Sequence, residues 1–336
     1  MRSVGSRSPS TFKAVALQPM GTRMRVRQSF ERLTSSEMAY PEVGPITVWP
    51  VQNRVGECPV WSPKEQALYW IDVRAPQLLR LVPDTGELTR WHLPEVVGAI
   101  ALADNAEVWL AFPHWLATLR LASGEVSKVT DVETDRPNNR LNDGKVSPSG
   151  RWFVFGSMDD RPTKTASGAL YRASASGEVH RLMEGLTVAN GIAWSVDGRQ
   201  LYFSDSHAGQ VYAASWEEAT GTMGERRLLV SLDEAAGRPD GAAVDMGDGY
   251  WSAGVSAGVL HRIDASGNVL QRLGLPCRAP TMCSFGGSDL RTVFVTSLVR
   301  AQWANPGPLD GALLSFRHQV AGTATPQLIT GPSSGP

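Results

Sequence analysis

Short apolar runs alternate with polar turns along most of the chain, and the alternation repeats. Between residues 46 and 320 no apolar stripe holds the helical spacing of three to four over a convincing length. Runs of four to seven residues bounded by Gly, Pro, Asp and Ser recur instead, the pattern of short strands. Units begin near Pro59, Gly98, Asn142, Asn190, Asp240 and Pro280, a period of roughly 40 to 50 residues, the range of propeller blades. Each unit reads as a first strand, a polar turn such as Ser147 to Gly150 or Ser195 to Gly198, and a second strand such as LYWIDV or LYFSDS. In most units a further pair follows, as in LATLRLASGEVSKV, folded back at a Gly-containing hairpin turn. Six such units predict an all-β chain, a six-bladed β-propeller, whose radial closure leaves only short protected sheet edges. The apolar stretch ITVWPV at residues 46–51 belongs to no unit. It is expected to complete the last blade and close the ring.

One position of the repeat is polar where the rest of the unit is apolar. Aligned on their apolar cores, the units place Glu57, Asn142, Asn190 and Asp240 in one register, each five residues before Ser62, Ser147, Ser195 or Asp245. The first strand of a propeller blade lies nearest the axis, so these side chains are expected to converge at the rim of the central channel. Glu57, Asn190 and Asp240 then offer two carboxylates and an amide. That all-oxygen set suits one divalent cation: Ca²⁺, Mg²⁺ or Mn²⁺, with Zn²⁺ and Fe²⁺ as borderline cases. In blades two and six the same phase holds Gly98 and Pro280–Thr281, which is expected to leave room for a ligand. Taken singly, the NDG, NG and DG sequences also read as turns before strands, a role such pairs often fill. Glu57 does not fit that reading, because Glu is a poor turn former and the next residue is Cys58.

The 33 Gly and 22 Pro punctuate the chain and the 11 Trp supply large packing surfaces, which agrees with many short strands around an apolar core. One propeller domain is expected over residues 46–325, preceded by an extension over residues 1–45 that is disordered or mis-annotated and followed by a flexible tail over residues 326–336. Residues 1–37 are rich in Arg and Ser, which fits a transit peptide, a disordered tail, or a start codon assigned upstream of a true start at Met38. No segment has the apolar core of a secretory signal or the length to span a bilayer. A net charge of −1 gives no basic footprint for nucleic acid or an anionic membrane. The expected partner is a small molecule, and the expected protein a cytoplasmic monomer or small homo-oligomer. Cys58, Cys277 and Cys283 cannot all pair within one chain, and are expected to be free thiols in a reducing compartment. His207 is expected to be an ordinary exposed loop residue. The absence of H-E-x-x-H and phosphate-loop motifs argues against zinc-protease and nucleotide chemistry.

Five segments, GECPVWSP with LYWIDV, RLNDGKVSPSGRWFVFGSM, VANGIAWSVDGRQLYFSDS, RPDGAAVD and PTMCSFGGSDLRTVFVTS, together resemble the regucalcin/gluconolactonase (senescence marker protein) family of six-bladed propellers. The resemblance spans roughly residues 46–320 and implies a metal-dependent lactonase acting on sugar acid lactones. It implies cation ligation by Glu57, Asn190 and Asp240, which match the family's GE-x-P-x-W, ANG and PDG motifs. It also implies substrate contact by Arg140 and Asn142 in R-x-N-D-G. Arg140 enters through the resemblance alone; by itself it also reads as a surface or turn-capping Arg. Asp240 is in addition the candidate general base toward the attacking water, a role in tension with ligation because a cation depresses a carboxylate's pKa. Asp143 is expected to support Asn142. Where some relatives carry a substrate-contacting Glu after GTM, this chain reads SMDDRP, with Asp159, Asp160 and Arg161 in that neighbourhood. Residues Asp159 to Gly168 are expected to form a mobile loop over the channel mouth. Esterase or phosphotriesterase chemistry, and cation binding without turnover, are the alternative uses of the same scaffold.

Overall fold

The computed structural model describes residues 43–331, together with the backbone of 26–29 and 33–40. Six antiparallel sheets form the blades of a propeller. Their inner strands are Gly56–Ser62, Ala99–Leu102, Asn139–Val146, Ala189–Trp194, Pro239–Val244 and Pro280–Gly286. Each inner strand packs on the next, and the last packs on the first. Inner and second strands are covered on both faces by neighbouring blades. They therefore read as continuous small or apolar runs without alternation, and Ala67–Asp72 is buried at every position. Outer strands such as Val269–Gly274 meet solvent and carry polar residues. Between the blades lie large buried rings, including Trp49, Trp70, Trp109 and Trp251.

The ring closes as the leftover stretch predicted. Gly44–Trp49 pairs antiparallel with Leu313–Arg317, so the last blade takes its fourth strand from the N-terminal side. Ile46, Val48 and Trp49 of this strand are buried. Trp49→Ala is expected to cost about 3–5 kcal/mol, the usual range for deleting a buried indole. On a domain of this size that lowers the thermal midpoint on the order of 10 °C, measurable by calorimetry. A shift under about 2 °C would show that the closing strand contributes little.

Two expected boundaries are corrected. Within the presumed extension, Val26–Ser29 pairs with the outer strand Glu87–His92 of blade one, and Leu33–Tyr40 pairs with Gly44–Trp49 of blade six. The outermost strand of a blade presents unpaired backbone groups, and an added strand satisfies them. The tail expected from residue 326 is likewise tied down through residue 330. Leu328 is fully buried, its N–H donates to the Leu102 carbonyl at 2.7 Å, and the Ile329 N–H donates to the Gly150 carbonyl at 2.8 Å. One buried apolar side chain between Pro326 and Gly331, that of Leu328, is enough to fasten this segment across blades two and three. The other readings of residues 1–25, and the flexibility expected of residues 332–336, concern positions outside the described residues.

All three cysteines are free and buried, and burial pushes each thiol up to about 12. His207 is exposed in a loop. Among the described residues no helix is long and apolar enough to cross a membrane.

Candidate functional site

Four inner strands do not run straight past the axis. Their pairing with the second strand slips between Glu57 and Val60, Leu141 and Gly144, Asn190 and Ala193, and Pro239 and Ala242. A β-bulge at each slip leaves residues unpaired and re-aims a side chain out of the sheet. The Asx-Gly pairs of the sequence are thus bulges at the channel mouth instead of turns. Blade two, with Gly98 in this phase, keeps an unbroken register from Ala99 to Leu102. In blade six the slip falls at Thr281, whose hydroxyl donates to the Gly56 carbonyl across the blade interface.

The bulges explain the residue types that follow the register position. Gly191 sits at a φ of +65°, and a Cβ there would lie 2.4 Å from the Tyr250 hydroxyl oxygen. In blade one the same left-handed geometry is imposed on Cys58, at a φ of 49°, a conformation that residues other than Gly seldom adopt. Its thiol is held between the Ile100 and Gly144 carbonyls at 3.6 and 3.5 Å. Cys58 is thereby a structural residue of the bulge that carries Glu57.

A directional hydrogen-bond chain joins blades three, four and five. Arg140 Nη1 donates to Asn142 Oδ1 at 2.7 Å, and Asn142 Nδ2 donates to Asn190 Oδ1 at 2.8 Å. Asn190 Nδ2 in turn donates to Asp240 Oδ1 and to Ser206 Oγ, each at 2.7 Å. Asn142 also donates to the Ala189 carbonyl at 2.9 Å, so both amides are pinned. Glu57 joins the group through charge. Burial, then Asp240 and Asp143, hold its carboxyl well above the usual range, with Arg140 opposing. Burial and Asp143 likewise raise Asp240 to about 8, against Arg300, Arg238 and Arg140. Two neighbouring carboxyl groups, Asp240 buried and Glu57 partly buried, that resist ionising together are an arrangement that an added cation relieves. Among the described residues no three carboxylate, imidazole or thiol groups gather as a metal site; the donors at the mouth are two carboxylates and an amide. This hard-oxygen set fits a divalent cation whose remaining positions are filled by water.

The pairings of several neighbours were not legible in advance. Asp160 Oδ1 accepts from Arg140 Nε at 3.0 Å and from Arg74 Nη2 at 2.8 Å, and so fixes the guanidinium plane of Arg140. Ser206 orients Asn190. Asp143 does not support Asn142: the bulge turns it toward blade four, where its Oδ2 accepts from the Ile192 N–H at 3.1 Å. Asp159 does not face a ligand either. Its side chain is fully buried, Arg161 pairs with it at 2.7 Å and holds it well below the usual carboxylate range, and the Thr165 N–H donates to it at 2.8 Å. Asp72 and Asp205, also at the ends of second strands, do the same for other mouth loops. They accept from the N–H groups of Arg54 and Val55, and of Thr187 and Val188. The repeated Asp closing LYWID, LYFSD and FGSMD was the available signal for this loop-tying role.

The SMP-30/gluconolactonase/LRE-like region, as a family model, matches residues 55–299. The chain is 36% identical over 276 residues to a 6-deoxy-6-sulfogluconolactonase of Pseudomonas putida, with 81% of this chain and 94% of that one covered. It is 33% identical over 284 residues to a pentonolactonase of Haloferax volcanii, with 82% and 94% covered. Among solved structures, a calcium-binding protein, regucalcin, from Agrobacterium tumefaciens matches with a TM-score of 0.78 at 26% identity, over 83% of this chain and 95% of that one.

Proposed function

The chain belongs to the SMP-30/gluconolactonase family, and from that premise we propose that it hydrolyses a sugar acid lactone to the aldonic acid at the channel mouth. In this reading Glu57, Asn190 and Asp240 hold one divalent cation, and Arg140 with Asn142 binds the substrate. The observation that carries it is the chain of hydrogen bonds from Arg140 through Asn142 and Asn190 to Asp240, beside the half-buried Glu57. A purely structural cluster gains nothing from two carboxyl groups that burial and mutual repulsion keep from ionising together at one end of a channel.

When bound, the cation supplies Lewis acidity toward the lactone carbonyl and lowers the pKa of a coordinated water. The residues do the rest. Arg140 is locked on two sides by Asp160 and Asn142, and its Nη2 is left to meet a hydroxyl or ring oxygen of the sugar, with a planar donor geometry that Lys lacks. Asp240 accepts from Asn190 through Oδ1, which leaves Oδ2 to take a proton from the attacking water and return it to the ring oxygen as the ester bond opens. Its raised pKa strengthens it as a base, while ligation weakens it.

The test is a panel of aldonolactones, followed by pH-indicator assay with chelator-treated protein and each of Ca²⁺, Mg²⁺, Mn²⁺, Zn²⁺ and Fe²⁺ added back. Turnover that depends on an added cation is the expected result. Turnover of aryl esters or phosphotriesters without any lactone, or cation binding with no turnover at all, would contradict it.

A further inference from the structure

We propose that Ser206 determines which lactones are accepted, by donating its hydroxyl proton to a hydroxyl group on the carbon next to the reacting carbonyl. The inference rests on the lactonase reading and narrows its substrate class to lactones of 2-hydroxy acids. Ser206 follows the second strand of blade four, Gln200–Asp205, at the mouth end where Asp205 pairs with Ala189. Its backbone is fixed there, since its N–H donates to the Val188 carbonyl at 3.0 Å. Its side chain reaches the proposed cation seat. Ser206 Oγ accepts from Asn190 Nδ2 at 2.7 Å, and the same nitrogen donates to Asp240 Oδ1 at 2.7 Å.

The hydrogen-bond chain that starts at Arg140 has a direction, and Ser206 is where it ends with a proton to spare. Asn142 accepts from Arg140 and donates to Asn190, which accepts and donates in turn. Ser206 accepts as well, but a hydroxyl also has a proton of its own to give. Among the described residues nothing accepts that proton, although Ser206 is only 8% exposed. A buried donor left without an acceptor costs stability, and most such groups find a partner. Accepting from Asn190 also polarises the O–H bond and strengthens it as a donor. The donor is neutral, so it selects an oxygen atom and not a charge.

The proposed reaction narrows which oxygen. Within two bonds of the carbonyl carbon, a 2-hydroxy lactone has its carbonyl oxygen, its ring oxygen and the hydroxyl on C2. The first goes to the cation, and the second receives the proton returned by Asp240. The C2 hydroxyl remains, next to the cation seat, where Ser206 touches the ligand Asn190. Arg140, two amides away along the chain, is left for oxygens elsewhere on the ring.

The experiment measures kcat/KM of the cation-loaded full-length protein on pairs of lactones that differ only in carrying or lacking the C2 hydroxyl. The parent is expected to prefer the hydroxylated member by about tenfold or more, the worth of one well-placed hydrogen bond. Ser206→Ala is expected to bring that preference below about threefold, whatever it does to the absolute rates. Ser206→Cys, which keeps the volume but donates weakly, is expected to fall between the two. A Ser206 that only orients Asn190 behaves differently: Ser206→Ala then weakens Mn²⁺ binding in a calorimetric titration and slows both lactones alike. That result, or a parent without the preference, overturns the inference and leaves the lactonase reading standing. Hydrolysis of no lactone by the parent overturns both.

Discussion

Asp240→Asn is expected to lower kcat/KM for lactone hydrolysis by about a thousandfold or more, while the protein still folds. The substitution preserves the shape of the side chain and an oxygen able to accept from Asn190 Nδ2, now at 2.7 Å from Asp240 Oδ1. It removes the negative charge on which both proposed roles depend. Initial rates measure the loss, and calorimetric titration of a divalent cation into the same protein separates the roles. Lost activity with retained cation binding makes Asp240 the base; loss of both makes it a ligand. Activity within about tenfold of the parent would remove Asp240 from the mechanism.

The second large effect is on stability, and its sign follows from the buried pair. Asp240 holds its proton up to about 8 in the folded, cation-free protein, and Glu57 is also held well above its ordinary range. An unfolded chain releases those protons near about pH 4. Between these values the native state binds more protons than the unfolded one, so stability falls as pH rises. The contribution is complete below about pH 4 and is lost as pH climbs through about 8. The cation-free protein is therefore expected to unfold at progressively lower temperature from about pH 5 to about pH 9. A divalent cation should reverse the trend, adding about 4 kcal/mol at a thousand times its Kd. Glu57→Gln keeps the volume but cannot ionise. It is expected to flatten the pH dependence, to raise the stability of the cation-free protein at high pH, and to weaken cation binding about a hundredfold or more. Calorimetry across pH on both proteins, with and without cation, reads all three. A parent protein whose stability is flat or rises over this window would contradict the account.

The repeat exposed the fold because blade geometry imposes itself on every unit: doubly covered strands must be apolar, and turns must be polar. It exposed the register of Glu57, Asn142, Asn190 and Asp240 because a polar side chain at a doubly buried position has to face something other than the core. The means of facing the channel was not visible. Asn-Gly and Asp-Gly signal turns and bulges alike, and only the broken pairing from Glu57 to Val60 and from Asn190 to Ala193 distinguishes them. The pairing of Asp160 with Arg140 and Arg74 escaped because these partners converge through loops, with Arg74 86 residues away. Asp143 was misplaced because adjacent residues in a bulge do not alternate as in a regular strand. The fastening at Leu328 rests on one buried apolar residue in a short segment, too little to register as a pattern.

The measurement that bears most directly on the account is anomalous diffraction from crystals of the protein soaked with Mn²⁺. A single strong peak is predicted at the channel mouth, within coordination distance of oxygen atoms of Glu57, Asn190 and Asp240, and absent from Glu57→Gln crystals treated alike. A peak elsewhere on the chain with none at the mouth would contradict the claim that these three residues converge to hold a cation.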